Sequence, residues 1–233
     1  MKIHPIFPTV ISESDYEYQS DFKELFFQSA MSHIDENGYS NELVGKLNIH
    51  HDENYDELYF FIIQEIKKYV CSLGVDADIF NYNVVKSWLN ISKDTDNPPH
   101  NHQDSHISFS YYVNLPADIH RQIVFQDNLL DRNNLNHGML PWNTTEWNYY
   151  NSSIWSFIPE EGSLYIFPAN ITHHVSEVGK KLKMAAELEK PTKTLDELKS
   201  MRISIAGDIL MTFKELQPIP LGLQPIKNWR VFE

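Results

Sequence analysis

The chain has 233 residues, of which 42% are hydrophobic and 22% charged, so it can bury a real core and is not a disordered protein. Asp and Glu number 32 against 19 Lys and Arg, a net charge of −13 that argues against gripping nucleic-acid phosphates or an anionic membrane by bulk charge. The single cysteine, Cys71, excludes an internal disulfide and nearly excludes a zinc-thiolate cluster.

No segment approaches the run of about eighteen apolar residues that a membrane span needs. The start, Met1 to Pro8, lacks the apolar run and small-residue cleavage site of a secretory signal. Glu13, Asp15 and Glu17 argue against a transit peptide. The expectation is a cytoplasmic, reduced protein.

The first third reads as helical. From Ser20 to Ile34, apolar residues fall at Phe22, Leu25, Phe26, Ala30 and Ile34, a spacing of about 3.6. A second helix is expected over Asn54 to Leu73, with the stripe Tyr55, Leu58, Phe61, Ile62, Ile66 and Val70, stopped by Gly74. The middle reads as strands. Val84 to Ile91 is β-branched and aromatic, and Asp94 to Pro99 is a turn cluster. Short strands follow at His100 to Gln103, Ile107 to Leu115, Gln122 to Gln126, Ser163 to Phe167, Thr172 to Val175, Ile203 to Ile205 and Ile209 to Phe213. Helices first and short strands afterwards predict an α+β, mainly β fold, a sandwich or barrel with helices on one side.

Two stretches fall outside that scaffold. Asn128 to Phe157 is polar and aromatic, with Trp142, Trp147, Tyr149, Tyr150 and Trp155. It reads as a pocket mouth or as a patch packed on the sheet. Ser176 to Ser200 is charged, and Leu195, Leu198 and Met201 suggest a short helix within it.

The chemistry concentrates in Pro98-Pro99-His100-Asn101-His102-Gln103-Asp104. In an extended segment, residues i and i+2 share a face, so His100, His102 and Asp104 would point one way. Neutral imidazoles with a carboxylate form the two-histidine-one-carboxylate set of non-haem Fe(II). A third histidine must then come from a distant strand, and His173 or His174 can supply it. Past that strand comes Arg202-Ile203-Ser204, an arginine and a hydroxyl on one face. A guanidinium fork suits a carboxylate, and within an apolar strand it would be costly without an anion.

These residues resemble the 2-oxoglutarate/Fe(II) oxygenases of the prolyl-hydroxylase-like kind, and within them a group found in marine bacteria and phages. The similarity runs through Trp88-Leu89-Asn90, His100-Asn101-His102, Ser108 to Val113, Pro159 to Pro168, His173-His174-Val175 and Arg202 to Ala206, in that order. The opening Ile6-Phe7-Pro8-Thr9 is also similar to the group's usual start. The resemblance implies a double-stranded β-helix, or jelly roll, in one domain. Residues 1–80 would be mainly helical support, 81–215 the jelly-roll core, and 216–233 a C-terminal extension.

It further implies that His173 is the distal iron ligand and His174 its outward neighbour. Arg202 would pair with the distal carboxylate of 2-oxoglutarate, with Ser204 beside it and Tyr112 donating to the same group. Fe(II) is the implied cofactor and 2-oxoglutarate the cosubstrate. The implied reaction hydroxylates a small molecule or a protein side chain and releases succinate and CO2. In a viral setting the compartment would be the host cytoplasm. The family's His-x-Asp corresponds to His102-Gln103-Asp104, whereas the marine and phage group favours His100 with His102; His102 belongs to either set. This chain departs from the group in having Phe109 after the strand serine, where glycine is usual. It also has a longer segment between His173 and Arg202. Two other readings stand beside this one. A cupin-like dioxygenase would use three histidines and no cosubstrate. A non-enzymatic β-sandwich binding or virion-associated protein would leave the histidines incidental.

Overall fold

A computed structural model describes residues 8–16, 20–32, 34, 48–93, 96–127, 145–148, 152–179, 193–217 and 222–231. Two antiparallel sheets face each other. Strands β1 (Ser12–Asp15), β2 (Phe80–Ser92), β4 (Ile107–Asn114), β7 (Ser163–Pro168) and β9 (Arg202–Phe213) form the larger sheet, in the order β1-β7-β4-β9-β2. The smaller sheet consists of β3 (Asn97–His100), β5 (Arg121–Gln126), β6 (Ile154–Phe157) and β8 (Thr172–Glu177), in the order β3-β8-β5-β6.

Helices α1 (Ser20–Ser32) and α2 (Asp56–Ser72) cover the outer face of the larger sheet. The α2 stripe that meets the sheet is Leu58, Tyr59, Ile62, Ile66, Tyr69 and Val70. Each fully buried aliphatic side chain there contributes roughly 1.5–3 kcal/mol. Asp56 and Glu57 occupy the first turn, where the helix dipole favours negative charge. Past the last turn Gly74 has φ 78°, the left-handed geometry that glycine takes without strain.

Strand alternation divides the interior in two. Ile203, Ile205 and Ile209 of β9, Phe109, Tyr111 and Val113 of β4, and Leu89 and Ile91 of β2 face the helices in the main core. The opposite parity faces the smaller sheet. There Tyr112, Tyr165 and Phe167 meet Ile123 and Phe125 in a second, smaller core. Polar residues share that inner face: Ser108, Ser204, Arg202 and Asp208 are all buried.

Several boundaries differ from the sequence reading. The strand expected from Val84 begins at Phe80, and the two strands expected within residues 203–213 are one strand, Arg202–Phe213. Gly207 and Asp208 interrupt the β-prone pattern but stay paired, opposite Ser87 and Lys86. The turn expected at Asp94 to Pro99 instead contributes β3, and the strand expected at His100 to Gln103 ends at its first residue. Both prolines of β3 lie on an edge strand, where a missing N–H costs little. Inside the aromatic stretch, Ile154–Phe157 forms β6, while Trp142, Tyr149 and Tyr150 lie outside the described residues. The expected short helix is α3 (Leu195–Lys199), held by a Thr194–Glu197 capping box. Residues 180–192 before it lie outside the described residues, as do Ile6 and Phe7.

Candidate functional site

Strand pairing assembles the histidines. His100 ends β3 and is in register with His173 on β8. A tight turn after Phe167-Pro168, closed by Ile171 N–H donating to the Pro168 carbonyl at 3.1 Å, aims His173 inward. There its ring contacts Phe167 and Phe125. His102 lies in the turn after β3, fixed by its own N–H donating to the Ala169 carbonyl at 2.8 Å. One ligand nitrogen from each of His100, His102 and His173 lies within 4.8 Å of the others.

The outer nitrogens are all engaged. Nδ1 of His100 meets the Pro98 carbonyl at 2.8 Å, and Nδ1 of His173 meets the Ile171 carbonyl at 3.1 Å. Nδ1 of His102 meets Oδ1 of Asp208 at 2.6 Å. A carbonyl can only accept, so His100 and His173 carry their proton on Nδ1. Their Nε2 lone pairs are therefore left free. Ligating histidines in metal sites have this outer arrangement. Three convergent imidazoles with fixed outer nitrogens fit a divalent metal.

Asp104 is placed elsewhere. It is exposed, with both oxygens within 3.0 Å of Lys86 Nζ, and that cation holds its carboxyl below the usual range. His102 and Asp104 do not share a strand face because β3 has already ended at His100. His174 has the opposite parity to His173 and pairs with Val124.

A buried basic group lies further along the larger sheet, on β9. Tyr112 and Ser204 are cross-strand partners. The Arg202 guanidinium lies 4.9 Å from the centre of the Tyr112 ring. Arg202 is 2% exposed, and its Nε and Nη2 donate to nothing. The Tyr112 hydroxyl is likewise buried without a hydrogen-bond partner. Burial pulls the Arg202 pKa below its ordinary value. An uncompensated buried cation with free donors fits a carboxylate. Tyr112, against which Arg202 packs, shares a small core with Tyr165, Phe167 and Phe125, and the last two rings contact His173.

Burial also sets the histidine electrostatics. His173 is pushed down to about 3, first by desolvation and then by its neighbour His100. Burial lowers His100 as well. Both therefore stay neutral, as ligands must be. Asp208 is the residue that sequence reading missed. Its side chain is fully buried, accepts from Ser108 Oγ at 2.5 Å, and lies 3.1 Å from Lys86 Nζ. Burial pushes its pKa up, but the His102 and Ser108 hydrogen bonds, aided by Lys86, bring the net shift down. A signal was available, because Arg202, Ser204, Ala206 and Asp208 share one strand parity. Gly207 hid it by seeming to break the strand.

Two facing sheets with convergent histidines at one end define a double-stranded β-helix with a metal-type donor set. Residues 86–184 match the model of the family described as "Putative 2OG-Fe(II) oxygenase". The fold is shared with the non-heme alpha ketoglutarate dependent epimerase SnoN from nogalamycin biosynthesis. That likeness has a TM-score of 0.50 at 8% identity and covers 93% of this chain and 91% of SnoN. A Pseudomonas putida prolyl-4-hydroxylase matches with a TM-score of 0.47 at 11% identity, over 91% of this chain and 89% of that one. A Burkholderia pseudomallei oxidoreductase of the 2OG-Fe(II) oxygenase family matches with a TM-score of 0.36 at 13% identity, over 61% of this chain and 48% of that one. The chain thus spans about half the length of the Burkholderia enzyme. No curated protein matches the sequence. Residues 86–184, a little under half of the chain, are thus similar to the 2OG-Fe(II) oxygenases, and the fold agrees with that likeness. Among the described residues, no helix is long and apolar enough to cross a membrane.

Proposed function

We propose that His100, His102 and His173 hold the Fe(II), and that Arg202, Ser204 and Tyr112 bind the far carboxylate of 2-oxoglutarate. The reaction would be hydroxylation of a small molecule or a protein side chain, with succinate and CO2 as co-products. The observation that carries this reading is Arg202. It is a buried guanidinium with free Nε and Nη2, packed on Tyr112 of the same small core whose Phe125 and Phe167 rings touch His173.

The bound iron would supply the oxidising power, and the protein's own residues do the rest. The Pro98 and Ile171 carbonyls hold two imidazoles with Nε2 turned to the centre. Arg202 gives the cosubstrate a bidentate anchor and thereby sets which end faces the histidines. Phe125, Phe167 and Tyr165 make the intervening wall apolar and exclude water from the cosubstrate's carbon chain. A three-histidine dioxygenase without cosubstrate would use the same imidazoles, but it would leave the free donors of Arg202 without a purpose.

The test is succinate formation from 2-oxoglutarate by the purified chain with Fe(II), oxygen and ascorbate. Wild type should form succinate, and His173→Ala should not. A protein that binds neither Fe(II) nor 2-oxoglutarate, and is unchanged by His173→Ala, would refute the reading.

A further inference from the structure

The three outer nitrogens do not have equivalent partners. Two meet neutral backbone carbonyls, whereas His102 meets a carboxylate. Asp208 is completely buried, yet its Oδ1 is held by two donors, Ser108 and His102, and its Oδ2 faces the Lys86 ammonium at 3.1 Å. A buried carboxylate is retained only where its charge is answered. Lys86 alone does not answer it, because the same ammonium is shared with Asp104.

We propose that Asp208 is a positioning residue that carries the site's negative charge, acting on the metal through His102. This rests on the reading of His102 as a ligand. A set of three neutral imidazoles brings no charge to a divalent cation, whereas the two-histidine-one-carboxylate set brings one. Here the carboxylate stands one residue further out. Its contact at Nδ1 fixes the proton there and turns the Nε2 lone pair inward. It also makes that imidazole a stronger donor than a carbonyl partner would. Ser108 and Lys86 keep the carboxylate from rotating away. On this account Lys86 and Ser108 act through Asp208 and touch neither metal nor substrate.

The experiment uses the metal-free 233-residue chain and Co(II) as the probe. Co(II) affinity and the visible spectrum of the bound ion are measured for wild type, Asp208→Asn and Asp208→Glu. Asp208→Asn should weaken Co(II) binding by about 10- to 100-fold and alter the spectrum. Asp208→Glu keeps the charge and should recover much of the loss. Unchanged affinity and spectrum in a folded Asp208→Asn protein would overturn the proposal. Should the variant fail to fold, nitrogen-15 imidazole shifts of His102 in the metal-free wild type decide at alkaline pH. Protonation at Nδ1 is expected, and protonation at Nε2 would overturn the assignment. Failure of wild type to bind Co(II) at all would instead sink the metal-ligand reading, which separates the two outcomes.

Discussion

Phe109 and Gly207 are cross-strand partners on β4 and β9, and the phenyl ring fills the space that a side chain at 207 would occupy. A Cβ on Gly207 would stand 2.6 Å from Cζ of Phe109 and 3.0 Å from Cβ of Ser87. The ring also lies edge-on to Tyr59 of α2, 6.3 Å between centroids. The unusual phenylalanine is therefore housed by a glycine on the neighbouring strand. Gly207→Ala should destabilise the protein by about 1–3 kcal/mol through overpacking, with an unchanged denaturant m-value. Urea unfolding measures this, and wild-type stability in the variant would show that the ring can move aside.

The choice of third ligand separates cleanly by mutation. His100→Ala removes one of the three convergent nitrogens and should cost most of the divalent-metal affinity. Asp104→Asn removes only an exposed partner of Lys86, in a class of ion pair worth about 0–1 kcal/mol. Its metal affinity should stay close to wild type. Isothermal titration with Mn(II) compares them, and the reverse order would place Asp104 in the ligand set.

Arg202 makes a prediction with two signs. Its desolvated charge burdens the free protein, so Arg202→Met should leave the ligand-free chain as stable as wild type or more so. The same variant should lose the rise in Tm that 2-oxoglutarate gives wild type. Metal affinity should stay nearly intact. Loss of both binding functions together would mean that Arg202 holds the fold rather than the cosubstrate.

The pH dependence follows from His173. Its pKa is 6.5 as an ordinary histidine and about 3 in the folded chain. Between those values the unfolded chain binds a proton that the folded chain refuses, so stability rises with pH across the window. The contribution is fully present above 6.5 and is lost as pH falls toward 3. His100 shifts in the same direction. Urea unfolding of the metal-free protein should thus show a steeper acid loss for wild type than for His173→Gln. Parallel curves would contradict the depressed value.

Much of the scaffold was legible because its signals are local. The α2 stripe and the Ile107–Asn114 strand follow from spacing in a single stretch of chain. The pairing of His100 with His173 is non-local, and no periodicity announces it. The sequence paired residues two apart and so grouped His100, His102 and Asp104. The strand ended at His100, and only the two histidines stayed together. Asp208 was passed over for a different reason. It follows a glycine whose purpose, making room for Phe109, appears only once β4 and β9 are side by side.

His100, His102 and His173 together with the buried Arg202 should act as one site, the histidines on the metal and the arginine on the far carboxylate of 2-oxoglutarate. Anaerobic absorption spectroscopy tests it most directly, by watching for the visible charge-transfer band of 2-oxoglutarate chelated to Fe(II). The band should appear in wild type only when both are added, should need far more 2-oxoglutarate in Arg202→Met, and should be absent in His173→Ala. No band in wild type at saturating Fe(II) and 2-oxoglutarate, or an undiminished band in His173→Ala, would contradict it.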